Sequence, residues 1–120
     1  MRKIVLAGAL LALGLTVAVA GAFGASSTRK LSGTVGPSYS ISMKAGGKNV
    51  KALKKGTYSL TVNDKSSIHN FVVEGPGVSK DITSVSGKGT KTVTLKLRPG
   101  KYKFYCRPHE SSMFGYITVK

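Results

Sequence analysis

The chain has 120 residues, 19 of them basic and 4 acidic, which gives a net charge of +15 at neutral pH. It contains one cysteine and two histidines, so an intrachain disulfide, a cysteine-rich zinc site and Cys-x-x-Cys-His haem attachment are all excluded. What remains is room for one modest, strongly basic domain.

The N-terminal residues have the pattern of a secretory signal. Arg2 and Lys3 precede an apolar run at residues 4–20, and small residues follow it. We therefore predict a signal peptide at residues 1–24 and an extracytoplasmic location, whether secreted, periplasmic or at the cell surface. Counted through Phe23 the apolar stretch reaches 20 residues, which is enough to span a bilayer, so an uncleaved membrane anchor is the alternative.

Alternation of apolar and polar residues predicts strands through most of residues 25–120, which we expect to form one domain. In chain order, strands are predicted at residues 30–35, 39–43, 48–51, 58–62, 68–73, 92–97, 102–106 and 115–119. Turn signals such as Gly46-Gly47 recur at short intervals, and no segment in this range shows convincing helical periodicity. The pattern predicts an all-β sandwich or barrel, with Cys106 facing the same interior as Phe104.

Four side chains have the donor atoms of a blue-copper site. Cys106, His109 and Met113 fall within eight residues, and the only other histidine, His69, lies far upstream. Taken singly, each residue type is most often ordinary core packing. Together they supply a thiolate and two imidazoles for a trigonal plane, and a thioether for a weak axial contact that tunes the potential.

At these residues the chain resembles the cupredoxins, the plastocyanin and azurin family of small electron carriers. The resemblance runs from about Lys30 to the C-terminus and rests on four segments. These are Gly56-Thr-Tyr-Ser-Leu-Thr-Val, Ser67-Ile-His-Asn-Phe, Pro99-Gly-Lys-Tyr-Lys-Phe-Tyr-Cys, and the Cys-x-x-His-x-x-x-Met loop itself. It implies a Greek-key β-sandwich of about eight strands, a single copper ion, and a small bacterial type of electron carrier that is not an enzyme.

The resemblance also implies roles for residues around the ligands. Asn70 is expected to tie the His69 segment to the Cys106 loop through hydrogen bonds. Pro108 is expected to stiffen that loop. In the family, the second histidine reaches the surface through an apolar patch where partners dock. The nearby candidates for this patch are Pro76, Pro108, Met113 and Phe114, and Arg107 would add positive charge beside them.

Charge bears on the partners. Without the signal the domain keeps 17 basic and 4 acidic residues, a net charge of +13. Such a surface suits an acidic redox partner, an anionic membrane or an anionic wall polymer, or it simply keeps the protein soluble. The signal and the lack of a recognition motif argue against nucleic acid.

The expected function is therefore that of a monomeric protein that shuttles one electron between extracytoplasmic redox proteins. Copper scavenging, storage or delivery remains the alternative, although the Met-rich or His-rich tracts that would favour it are missing from this sequence. A Cys-His hydrolase is a weaker possibility, since the sequence has no recognisable nucleophile turn.

Overall fold

A computed structural model describes residues 28–120 of the chain. The predicted signal or anchor at residues 1–24 lies outside the described residues. The strands are β1 (Arg29–Val35), β2 (Ile41–Ala45), β3 (Lys48–Asn49), β4 (Ala52–Leu53), β5 (Gly56–Asp64), β6 (Val72–Gly75), β7 (Val78–Asp81), β8 (Gly89–Leu97), β9 (Gly100–Tyr105) and β10 (Phe114–Val119). A single 3₁₀ turn spans Arg107–His109. Within residues 28–120, no helix is long and apolar enough to cross a membrane.

The strands form two five-stranded sheets. The first has the order β3-β2-β1-β5-β8 and the second the order β4-β10-β9-β6-β7. The β1–β5 and β4–β10 pairs are parallel, and the other neighbouring pairs are antiparallel. The chain crosses repeatedly between the sheets, and the all-β sandwich predicted from the sequence is confirmed.

The core between the sheets follows the predicted alternation. On β5, Tyr58, Leu60 and Val62 are buried, and on β9 the buried side chains include Phe104. The Phe104 ring stacks on the ring of Phe71 with centroids 5.8 Å apart. On β10, Gly115 lies opposite Phe104 in the register, and a side chain there would collide with the Phe104 ring.

The predicted strand at residues 68–73 is largely wrong, because β6 begins only at Val72. Side chains satisfy the backbone before that point. Asp64 Oδ1 accepts the N–H of Ser66 at 3.0 Å, and Ser66 Oγ accepts the N–H of Ile68 at 3.1 Å. Such local side-chain bonds compete with ladder pairing. The N–H of Phe71 is likewise taken up by Thr83 Oγ1, at 2.9 Å, so residues 65–71 form a loop.

Four loops gather at one end of the sandwich. The register pairs Val35 with Asp64, Asp64 with Gly89, and Val72 with both Asp81 and Tyr105. The loops at residues 36–40, 65–71, 82–88 and 106–113 therefore leave the sheets on the same side. We call this side the ligand end, because His69, Cys106, His109 and Met113 all belong to these loops.

Candidate metal centre

Three side chains from two loops converge at the ligand end. The Sγ atom of Cys106 lies 3.6 Å from Nδ1 of His69 and 3.6 Å from Nδ1 of His109. The two Nδ1 atoms are 3.0 Å apart. The structure thus brings together a sulfur and two nitrogen donors, an arrangement that could hold a metal ion.

The size of this triangle suits a first-row transition metal. A point equidistant from its corners lies about 2.0 Å from each, close to the roughly 2.0–2.3 Å at which imidazole nitrogen and thiolate sulfur bind zinc. Soft thiolate with two imidazoles, and a thioether on the same loop, is the donor set of blue-copper sites. The residues therefore fit copper.

Burial favours the neutral, metal-binding form of His69. Cys106 and His69 are fully buried, and His109 is half-buried. Burial, followed by the nearby His109, lowers the pKa of His69 below its ordinary value of 6.5, and Asp64 opposes this only in part. A neutral imidazole is the form that binds a metal ion, so His69 is ready to donate its lone pair at neutral pH.

Backbone hydrogen bonds close the loop that carries the other three predicted ligands. The N–H of Cys106 donates to the carbonyl of Met113 at 3.0 Å, and the N–H of Met113 donates to the carbonyl of His109 at 2.8 Å. Pro108 lies in the first turn of the 3₁₀ segment, where its missing N–H costs nothing. Met113 is buried in the same apolar cluster as Cys106, which keeps its thioether inside the protein.

Asn70 joins the two ligand loops. It is buried, and its Oδ1 accepts the backbone N–H of Arg107 at 2.8 Å. Its Nδ2 donates to Oδ2 of Asp81 at 3.3 Å. Asn70 thus fixes the residue after His69 to the residue after Cys106, as the resemblance implied, and adds a contact to the end of β7.

Arg107 is tied down by acidic neighbours. Its Nε and Nη2 donate to the two carboxylate oxygens of Asp81, at 3.0 and 2.5 Å, and Nη2 lies 3.7 Å from Glu74. The hydrogen bond from Arg107 lowers the pKa of Asp81, and the same bond raises the pKa of Arg107. Beside them, burial and a hydrogen bond to Glu74 raise the pKa of Tyr105 to about 12. The positive charge expected next to the site is therefore neutralised.

Of the residues predicted for the docking patch, Pro76 is far from the ligand loop, and Phe114 follows Met113 but faces the outer surface of the second sheet. Pro76 is in the β6–β7 turn, where its carbonyl accepts the hydroxyl of Tyr102 at 2.6 Å and its ring lies beside Gly100. Gly100 begins β9 and Cys106 follows the end of β9, so the expectation that Pro76 neighbours the ligand loop is wrong. Phe114 is exposed, but its ring packs near Tyr116 on the outer face of the second sheet.

Other residues cover the histidines. The ring of Tyr39 makes edge contacts with those of His69 and His109, with centroids 5.0 and 4.9 Å apart, and Tyr39 is 64% exposed. Ile68, next to His69 in the chain, is 50% exposed. Sequence reasoning missed both, because Tyr39 was predicted to begin a strand and Ile68 to lie within one.

Asn70→Ala tests the hydrogen bond that connects the two ligand loops. Removing the amide leaves the Arg107 N–H without its acceptor, which should lower the free energy of unfolding by about 1–3 kcal/mol. The matched control is Asn63→Ala, at an exposed position on β5, where a change within about 0.5 kcal/mol is expected. Denaturant unfolding of both variants gives the comparison. Equal, small effects would remove Asn70 from this role.

Comparison with known proteins agrees with this geometry. Residues 38–120 match the family of copper binding proteins described as the plastocyanin/azurin family. Among solved structures, a methionine-to-glutamine variant of rusticyanin aligns with a TM-score of 0.57 and 21% identity, over 78% of each chain. Reduced rusticyanin gives a TM-score of 0.54 and 23% identity, over 78% of this chain and 79% of that one. For rusticyanin from Thiobacillus ferrooxidans the values are 0.54 and 24%, over 78% and 77%.

These structures share the fold, and the family match extends over more than half of the chain. Copper is accordingly the cofactor that the cluster of His69, Cys106 and His109 serves. The chain belongs to the plastocyanin/azurin family of copper-binding proteins.

Proposed function

We propose that this protein carries single electrons between extracytoplasmic redox proteins through one copper ion, bound by His69, Cys106, His109 and Met113. The observation that carries the proposal is the convergence of one sulfur and two nitrogen donors inside a closed β-sandwich. When bound, copper supplies the electron by alternating between Cu(I) and Cu(II).

The role of the protein is to keep the donor atoms in fixed positions and shielded from water. Cys106 would bind as a thiolate, and its complete burial excludes water and oxidants from the sulfur. His69 and His109 would bind as neutral imidazoles. Met113 would add a weak thioether contact that tunes the reduction potential. The loops are hydrogen-bonded to each other and to the strands. The ligands would therefore move little when the oxidation state of the copper changes.

His109 is the route by which electrons would enter or leave. It is the only one of the four proposed ligands that is not buried. Tyr39, whose ring contacts that of His109, is exposed, and so are Ile68 and Pro108, which precede His69 and His109 in the chain. We call these three residues and the His109 edge the docking face, and we propose that redox partners bind there through apolar contact.

The structure also bears on which charge a redox partner should carry. An acidic partner was expected because of the net charge and because of Arg107. Since Arg107 is paired with Asp81 and lies near Glu74, it has little charge left to attract such a partner. The docking face therefore suits a redox protein with an apolar contact surface.

The location and the absence of enzymatic activity are parts of the same proposal. The predicted signal at residues 1–24 supports export, and a buried, ligated thiol would tolerate an oxidising compartment. We expect no catalytic activity, because an electron carrier needs a docking face and no substrate pocket.

Cys106→Ser tests the copper assignment. The wild-type protein should bind one Cu(II) ion and develop an intense visible band from thiolate-to-copper charge transfer. The serine variant should show no such band, because a hydroxyl cannot replace a soft thiolate donor. A visible titration with Cu(II) measures both, and a band that survives the change would refute the assignment.

The same wild-type sample separates electron transfer from copper handling. Reduction by one electron and reoxidation should restore the band fully with the copper retained. Release of copper during the cycle would favour the alternative function of copper delivery or storage.

Met113→Leu tests the thioether contact. The variant should keep copper and colour but show a higher reduction potential, because losing even a weak sulfur donor disfavours Cu(II) relative to Cu(I). Met43→Leu, at a buried position on β2, is the matched control and should leave the potential unchanged. Voltammetry gives both values. An unchanged potential in Met113→Leu would exclude Met113 from the site.

Ile68→Ser tests the docking face through electron self-exchange, in which a second copy of the protein serves as partner. Loss of an apolar contact within an interface can cost about tenfold in rate or more. The control is Tyr116→Ser, an exposed residue on the outer face of the second sheet, which should exchange as the wild type does. Line broadening in NMR spectra of partly reduced samples measures the rate. Equal rates for both variants would place docking elsewhere.

A further inference from the structure

Basic residues lie at both ends of the sandwich, whereas the acidic residues of the described part of the chain are concentrated toward one end. Three of the four acidic residues lie at or near the ligand end: Asp64 ends β5, Asp81 ends β7 and Glu110 is in the ligand loop. The fourth, Glu74, lies opposite Lys103 in the register of β6 and β9, and its carboxylate is 3.7 Å from Nη2 of Arg107. The opposite end has no acidic residue among residues 28–120.

Six exposed basic residues occupy that opposite end, which we call the basic end. They are Arg29, Lys54, Lys55, Arg98, Lys101 and Lys120. The basic partners in the three ion pairs of the described residues are Lys103 and Arg107, so no side-chain carboxylate lies within 4.0 Å of the charged groups at the basic end. This end therefore carries a net positive charge.

Specific contacts hold these residues on one surface. The hydroxyl of Tyr58 accepts from Nη1 of Arg29 at 3.1 Å and donates to the carbonyl of Lys54 at 2.6 Å. The N–H of Lys55 donates to the carbonyl of Lys120 at 2.8 Å.

The remaining two residues join the same surface through the sheets. Gly56 pairs with Leu97, which places Arg98 next to Lys55, and Lys101 pairs with Thr118 near the end of β10. The strands and these hydrogen bonds fix the backbone positions of all six residues, so their side chains emerge from one surface.

We propose that the basic end lies against an anionic phospholipid bilayer, with the ligand end directed away from the membrane. The choice of lipid rests on where the chain enters the domain and on the alternative in which the apolar N-terminal stretch stays uncleaved as an anchor. Arg29 begins β1 at the basic end, and the apolar stretch that ends at Phe23 precedes it by only five residues. Even fully extended, that spacer spans only about 20 Å, at roughly 3.5 Å per residue.

This orientation leaves the docking face accessible. The six residues of β9 separate the two ends, which corresponds to about 20 Å at roughly 3.3 Å per residue. Attraction by the bilayer extends only about 10 Å at 0.1 M salt. The membrane would therefore hold the basic end without covering the loops around His109.

Charge reversal at each end of the full-length protein, as cells produce it, tests the proposal. Lys54→Glu, Lys55→Glu and Lys120→Glu are combined in one variant at the basic end. The matched control combines Lys65→Glu, Lys88→Glu and Lys91→Glu, which are exposed and lie toward the ligand end, so the net charge changes equally. Circular dichroism verifies that both variants are folded.

The measurement is co-sedimentation with phosphatidylcholine vesicles, with and without phosphatidylglycerol. The ratio of the two partition coefficients is the readout, because any contribution of the apolar N-terminal stretch cancels in it. A basic residue near an anionic surface contributes about fivefold to partitioning, so the basic-end variant should lose about 100-fold or more of this ratio. The control should lose much less, and wild-type preference should disappear at about 1 M salt.

Two results would overturn the proposal. Equal losses in the two variants would show that net charge acts rather than a defined face. Wild-type binding to a soluble anionic wall polymer, without preference for phosphatidylglycerol vesicles, would identify a different partner.

Discussion

The hydrogen bond from the Arg107 backbone N–H to the Asn70 amide oxygen joins two segments that are 37 residues apart in the sequence. One segment carries His69 and the other carries the remaining donors. Because Asn70 is buried, water cannot substitute for either partner without cost. Asp81 accepts hydrogen bonds from both Asn70 and the Arg107 side chain, so that the two ligand loops are also fixed to the end of β7.

Much of this architecture could be predicted from the sequence, because strand alternation is a local signal. The strands around Leu60, Leu95 and Phe104 were located correctly for that reason. The donors were recognisable because one cysteine, two histidines and a nearby methionine form a rare combination in so short a chain. What escaped prediction depends on contacts between distant residues.

Residues 68–73 read as a strand because four of the six are apolar, yet the hydroxyls of Ser66 and Thr83 accept the backbone N–H groups of Ile68 and Phe71. From the sequence, Arg107 was expected to carry an unpaired positive charge, because its partner Asp81 lies far away in the chain, at the end of β7. The position of Pro76 depends on the β6–β9 register, which no local pattern specifies. In each case a tertiary contact overrides what the neighbouring residues suggest.

The loop from Cys106 to Met113 has a consequence for how such a site can vary. Its two ends are bonded to each other through the Cys106 N–H and the Met113 carbonyl, directly beyond the last pair of β9 and β10. The segment could therefore be lengthened, shortened or exchanged as a unit without changing the register of either sheet. Such an exchange would replace three of the four donors and keep His69 in its position. Diversity in metal chemistry could then arise by replacing eight residues on an otherwise constant scaffold.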